Sequence, residues 1–131
     1  MTQKKIISTT SAPAAIGPYS QAVQVGNLVF LSGQIPLDPQ SMEVVNGCIE
    51  TQAIRVLDNM KAVATAAGGQ LEDIVKLTIF LTDLADFTVV NETMKGYFNE
   101  PYPARSTVQV SALPKGVNIE IEAIMALPTA G

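Results

Sequence analysis

Between residues 49 and 67 apolar positions recur three and four apart: Ala53, Val56, Leu57, Met60, Val63, Ala64 and Ala67. That spacing predicts a helix over about Ile49–Ala67 with one apolar face. Gly68-Gly69 supplies a left-handed stop behind it. A second, shorter apolar face is formed by Phe87, Val90, Met94, Tyr97 and Phe98. Asp83 or Asp86 can cap this helix, and Pro101 and Pro103 end it. Elsewhere the pattern alternates or runs apolar. Ile6–Thr9, Ala22–Val25, Leu28–Gly33, Ile74–Leu81, Ala104–Val110 and Val117–Leu127 are the predicted strands. Gly26-Asn27 makes a hairpin of the second and third. "SAPAAIGPYSQ" and "PLDPQSMEVVNG" read as loops, and "SALPKG" as the short link between the last two strands.

The order strands, helix, strand, helix, strands predicts an α+β fold with a mixed sheet of roughly six strands. Two helices cover one face of such a sheet. Yet Leu28–Leu31 and Leu77–Leu81 are apolar on both faces. The economical cover for the second face is another copy of the chain, so an obligate homo-oligomer is expected.

Composition supports that picture and removes several functions. In 131 residues, expected to form a single domain over 1–131, 47% are hydrophobic and only 15% charged. The net charge is −4, and the eight Lys plus Arg stand singly except for Lys4-Lys5, so neither nucleic acid nor an anionic membrane is an expected partner. There is no histidine, the commonest general base and metal ligand. The single cysteine, Cys48, leaves no internal disulfide, CxxC pair or thiolate metal cluster. Its bland reading is a small packing residue. The first twenty residues lack the apolar core of a signal peptide, and no run reaches the ~18 residues of a membrane span. A soluble protein of a reducing compartment is expected.

Candidate chemistry centres on "YPARSTVQV", residues 102–110, where Arg105 sits inside an apolar stretch. Reading the last two strands as a hairpin, alternation puts Arg105, Thr107 and Gln109 on one face. Pairing Val110 with Val117 then sets Thr107 opposite Glu120 and Arg105 opposite Glu122. Two readings stay open: a cross-strand Arg–Glu pair with no further role, or an anion site. In the second, the guanidinium fork grips a carboxylate and a neighbouring Glu holds a water or shuttles a proton. Arg55 reads instead as a solvated partner of Asp58. Asn91 lies on the apolar side of the second helix, Ser32 ends a strand, and Tyr19 follows Gly17-Pro18 in a loop. A structural hydrogen-bonding role is the bland reading of Asn91 and Ser32, a ligand contact is the other, and Tyr19 sits where its loop can fold over a pocket.

The segments "APAAIGPYSQAV", "LSGQIPLDP", "AIRVLDNMKAVATAAG", "DIVKLTIFLTDLADFTVVNETM" and "YPARSTVQVSALPKGVNIEIEAIMAL" closely resemble the YjgF/RidA family, also called UK114 or L-PSP. The resemblance spans nearly the whole chain. It implies a chorismate-mutase-like fold and a cytoplasmic homotrimer with sites in clefts between subunits. The implied activity is hydrolysis of 2-imino acids or their enamine tautomers to 2-oxo acids and ammonia, with 2-iminobutanoate and 2-iminopropanoate as substrates and no metal or organic cofactor. The carboxylate-binding arginine falls on Arg105, the water-positioning acid on Glu120, and further substrate contacts on Tyr19, Ser32 and Asn91. Where the family usually carries cysteine two residues after the arginine, this chain has Thr107, whose backbone can still meet substrate. The resemblance also leaves two alternatives: a ribonuclease-like translation inhibitor, which the charge and the lack of histidine oppose, and a non-catalytic trimer that binds small carboxylates.

Overall fold

A computed structural model describes residues 3–128. The ends of the expected 1–131 domain, residues 1–2 and 129–131, lie outside the described residues. Six strands form one sheet: β1 (Lys5–Ile7), β2 (Ala22–Val25), β3 (Leu28–Gln34), β4 (Ile74–Leu81), β5 (Ala104–Gln109) and β6 (Ile119–Ala126). Two helices, α1 (Ile49–Ala66) and α2 (Phe87–Met94), complete the α+β fold. The predicted elements are all present, with ends shifted by one or two residues except in α2, which stops at Met94 and leaves Tyr97 and Phe98 beyond its end. Gly26 turns the β2–β3 hairpin at φ 61°. Gly68, at φ 90°, follows α1, and the next amide, Gly69 N, donates to Ala64 O at 3.0 Å. Asp83 caps the 3-10 turn that leads into α2, accepting from Ala85 N at 2.9 Å.

The expectation that matters most for the site fails. The last two strands are not a hairpin. The sheet order is β1-β2-β3-β6-β4-β5, with β4 inserted between β5 and β6. β5 runs parallel to β4 and pairs Arg105 with Leu77, while β6 runs antiparallel to β4 and pairs Glu120 with Phe80. Burial explains the choice. Leu77, Ile79 and Leu81 of β4 are fully buried, whereas β5 exposes most of its side chains, so β4 takes a central position and β5 the edge. The β4–α2–β5 stretch is a crossover, which delivers a parallel strand. "SALPKG" then carries the chain past β4 through a tight turn at Pro114–Gly116.

The core lies between the sheet and the helices. Val56, Leu57, Met60 and Val63 of α1 and Val90 and Met94 of α2 pack with Val29, Leu31, Leu77, Ile79, Ile119 and Ile121. Among the described residues, the opposite face carries no helix. Leu28, Phe30 and Val108 remain 40%, 45% and 41% exposed there. Arg55 also departs from expectation: its Nε donates to Asn59 Oδ1 at 3.1 Å rather than pairing with Asp58. Asp58 instead accepts from the Tyr97 hydroxyl at 2.8 Å. Cys48 is exposed at the start of α1, not a packing residue.

Candidate functional site

Because β4 separates β5 from β6, the expected residues fall into two groups on opposite faces of the sheet. Arg105 shares the face of its partner Leu77, towards the helices. Its Nη1 donates to Asn91 Oδ1 at 2.6 Å, and its guanidinium carbon stands 5.0 Å from the centroid of the Phe87 ring. One α2 residue thus takes one N–H while another supports the plane of the fork. No carboxylate lies within ion-pairing distance of Arg105 among the described residues, so the expected pairing with Glu122 is absent. The guanidinium keeps free donors on an exposed edge, beside a cavity of about 380 Å³ lined by Leu77, Met94, Phe98, Tyr102 and Pro103. Thr107, two residues on and on the same face, has a buried Oγ1 with no hydrogen-bond partner.

Glu120 faces the other way, with Phe80 and Thr78 as cross-strand neighbours of the two acids. It is half-buried and lines a cavity of about 590 Å³ shared with Tyr19, Ser32, Gly33, Lys115 and Glu122. Burial chiefly, and the charge of Glu122 secondarily, push its carboxyl above the ordinary glutamate range. The wall over it is built by the strand–loop joint. The Ser32 hydroxyl donates to Ser20 O at 2.6 Å, and Ser32 N donates to Gln21 O at 3.0 Å. Buried Gln21 in turn holds the carbonyls of Thr9, Ala12 and Pro13. These bonds strap the loop that carries Tyr19 across the cavity mouth. Gly33 sits in an irregularity of β3, where the register against β6 shifts. That irregularity and the missing side chain make room for the Glu120 carboxylate.

The structure therefore joins Arg105, Asn91 and Thr107 in one group and Glu120, Ser32 and Tyr19 in another. Within one chain it does not join the two groups. In the sequence Phe87 reads only as a core-facing residue, and Gly33, Tyr102, Lys115 and Met42, which also lines the Glu120 cavity, have no part. The glycine beside Ser32 in a strand pattern was the one signal that could have found any of them.

The fold and its two clefts define a class of small α+β proteins with a guanidinium on one face of the sheet and a half-buried carboxyl on the other. Within that class, residues 9–127 match the family profile described as endoribonuclease L-PSP, and the chain belongs to this family, the YjgF/RidA proteins. The chain is 50% identical over 127 residues to the 2-iminobutanoate/2-iminopropanoate deaminase of Dermatophagoides farinae, covering 97% of this chain and 99% of the relative. RidA from an Antarctic Psychrobacter superposes with a TM-score of 0.91 at 53% identity, over 94% of this chain and 99% of that one. TdcF of Escherichia coli, solved with bound serine, gives 0.89 at 50% identity, over 95% and 99%.

Proposed function

We propose that the protein hydrolyses reactive 2-imino acids and their enamine tautomers, such as 2-iminobutanoate and 2-iminopropanoate, to 2-oxo acids and ammonia. The observation that carries this reading is a guanidinium with free donors and a half-buried glutamate whose carboxyl is raised above its ordinary range, on a chain half identical to a deaminase of that name. Arg105 receives the substrate carboxylate as a bidentate pair, held flat by Phe87 and Asn91. Glu120 accepts a hydrogen bond from a water and takes its proton as the oxygen attacks the imine carbon. The same proton then passes to nitrogen. This gives a carbinolamine; Glu120 then takes its hydroxyl proton and delivers it to nitrogen, so that the C–N bond breaks, the oxygen forms the new carbonyl, and ammonia leaves. Tyr19 and Ser32 border the reacting carbon, and the unpartnered Thr107 hydroxyl offers a donor to the substrate. An imine is already electrophilic, so orientation supplies most of what is required.

One substrate cannot touch Arg105 and Glu120 of the same chain, which lie on opposite faces of the sheet. The reading therefore includes a homotrimer in which the Arg105 group of one subunit meets the Glu120 group of the next. The uncovered face supports this, since hiding what remains exposed of Leu28, Phe30 and Val108 is worth ~1 kcal/mol for each. The same reading places the protein in the cytoplasm. The family profile's description names an endoribonuclease, but a chain of net charge −4 without histidine is poorly equipped to hold RNA and cleave it.

The test is hydrolysis of enzymatically generated 2-iminobutanoate, followed by subunit mixing. Alone, Arg105→Ala should be inactive and Glu120→Gln should retain about a hundredth of the activity or less. Refolded together, they should regain a substantial part of the activity, because some interfaces then carry both intact groups. No activity in the unmodified protein would sink the deaminase reading. No recovery on mixing would sink the shared site.

A further inference from the structure

Two residues other than glycine hold a left-handed backbone among the described residues: Met42 at φ 61° and Lys115 at φ 58°. Both line the Glu120 cavity. A side chain in that region costs about 1–2 kcal/mol. Such strain persists where the surroundings over-determine the backbone, and it gathers at working sites.

For Met42 those surroundings are visible. Asp38 Oδ1 accepts from Gln40 N at 2.8 Å and from Ser41 N at 2.9 Å. Met42 N donates to Asp38 O at 2.8 Å, and Asp38 N donates to Glu43 O at 2.9 Å. Leu37 bridges to Val44 below the turn. The base is tied to α1 by Asn59, 0% exposed, whose Nδ2 donates to Leu37 O at 2.9 Å. The turn is thus pinned at its tip and its root. It presents a thioether to a wall that also includes Ile16, Ile35 and Leu37.

We propose that Met42 is a specificity-determining residue and that the site favours 2-imino acids with long, unbranched apolar side chains. This rests on the deaminase reading. With the carboxylate at Arg105 and the imine carbon before the Glu120 water, the substrate's third substituent is left to the apolar wall. An apolar cavity of about 150 Å³ is enough to hold benzene. In one chain the Glu120 cleft measures about 590 Å³, and the neighbour's Arg105 group and the substrate's side chain share that space in the trimer. An unbranched thioether adapts to a flexible alkyl chain better than a branched side chain does.

The experiment compares imino acids generated by an amino-acid oxidase from norleucine and from alanine, each scored by competition with semicarbazide trapping. The unmodified protein should show the higher kcat/KM on the norleucine-derived substrate. In Met42→Ala and Met42→Gly that preference should fall roughly tenfold, the scale of a few lost methylene contacts. The two variants should fall alike in preference but differ in stability, because only glycine relaxes the left-handed turn. Equal rates on both substrates in the unmodified protein, or an unchanged preference in the variants, would overturn the proposal. If neither substrate is hydrolysed, the deaminase reading fails first and takes this one with it.

Discussion

Adding one methyl group at Gly33 should disable the protein without unfolding it. A Cβ at that position would overlap Glu120 Oε2 and lie 2.9 Å from Cδ and 3.1 Å from Cγ of the same side chain. No backbone atom is among its nearest neighbours. The Gly33 backbone is also outside the left-handed region, so alanine fits its conformation. What must give is the flexible end of Glu120. Stability should change little, because losing glycine's freedom in the unfolded chain returns ~0.4–1 kcal/mol. The carboxylate, however, is displaced by about an ångström or more, and a misplacement on that scale costs ~10²-fold in rate. Gly33→Ala should therefore lower kcat for 2-iminobutanoate about a hundredfold. Affinity for 2-oxobutanoate, held by Arg105, should stay near the starting value, and the melting temperature should move by only a few degrees. A folded Gly33→Ala protein with undiminished turnover would refute the placement of Glu120. Parallel loss of 2-oxobutanoate binding would show that the effect is not confined to that carboxylate.

Arg105→Ala should abolish turnover and 2-oxobutanoate binding while the circular dichroism spectrum is retained, and Arg105→Lys should restore only a fraction, since an ammonium cannot form the fork. Glu120→Gln should lower turnover ~10²-fold or more with little effect on 2-oxobutanoate affinity. Activity needs Glu120 ionised, so kcat/KM should fall as pH drops through its raised carboxyl pKa. Glu122→Gln, which removes the secondary cause of that elevation, should shift this acid limb to lower pH while burial keeps it above the ordinary glutamate range. An unmoved limb would mean the two carboxylates do not interact. Asn59→Ala leaves the Leu37 carbonyl and the Arg55 Nε without their partner, and should cost about 1–3 kcal/mol, measured by urea denaturation.

The periodicities alone determined α1 and all six strands to within a residue or two, and α2 apart from its end, which falls at Met94 rather than past Phe98. They are local properties: three-and-four spacing through α1, apolar strands, and glycine at positive φ where a turn demands it. The uncovered sheet face was also legible, because Leu28–Leu31 is apolar on both sides and the sequence pattern predicts two helices, the number of α-helices among the described residues. Arg105 and Glu120 stood out as charges inside strand patterns. Which strands are neighbours was not legible. A short link between β5 and β6 favours a hairpin on local grounds, yet burying Leu77, Ile79 and Leu81 on both flanks of β4 outweighs the easy turn. That non-local choice turned Arg105 and Glu120 to opposite faces. It also gave Arg105 its partners on α2, Asn91 and Phe87, instead of Glu122. Alternation fixes which side of its own strand a residue occupies. Only the packed sheet decides which side of the protein that is.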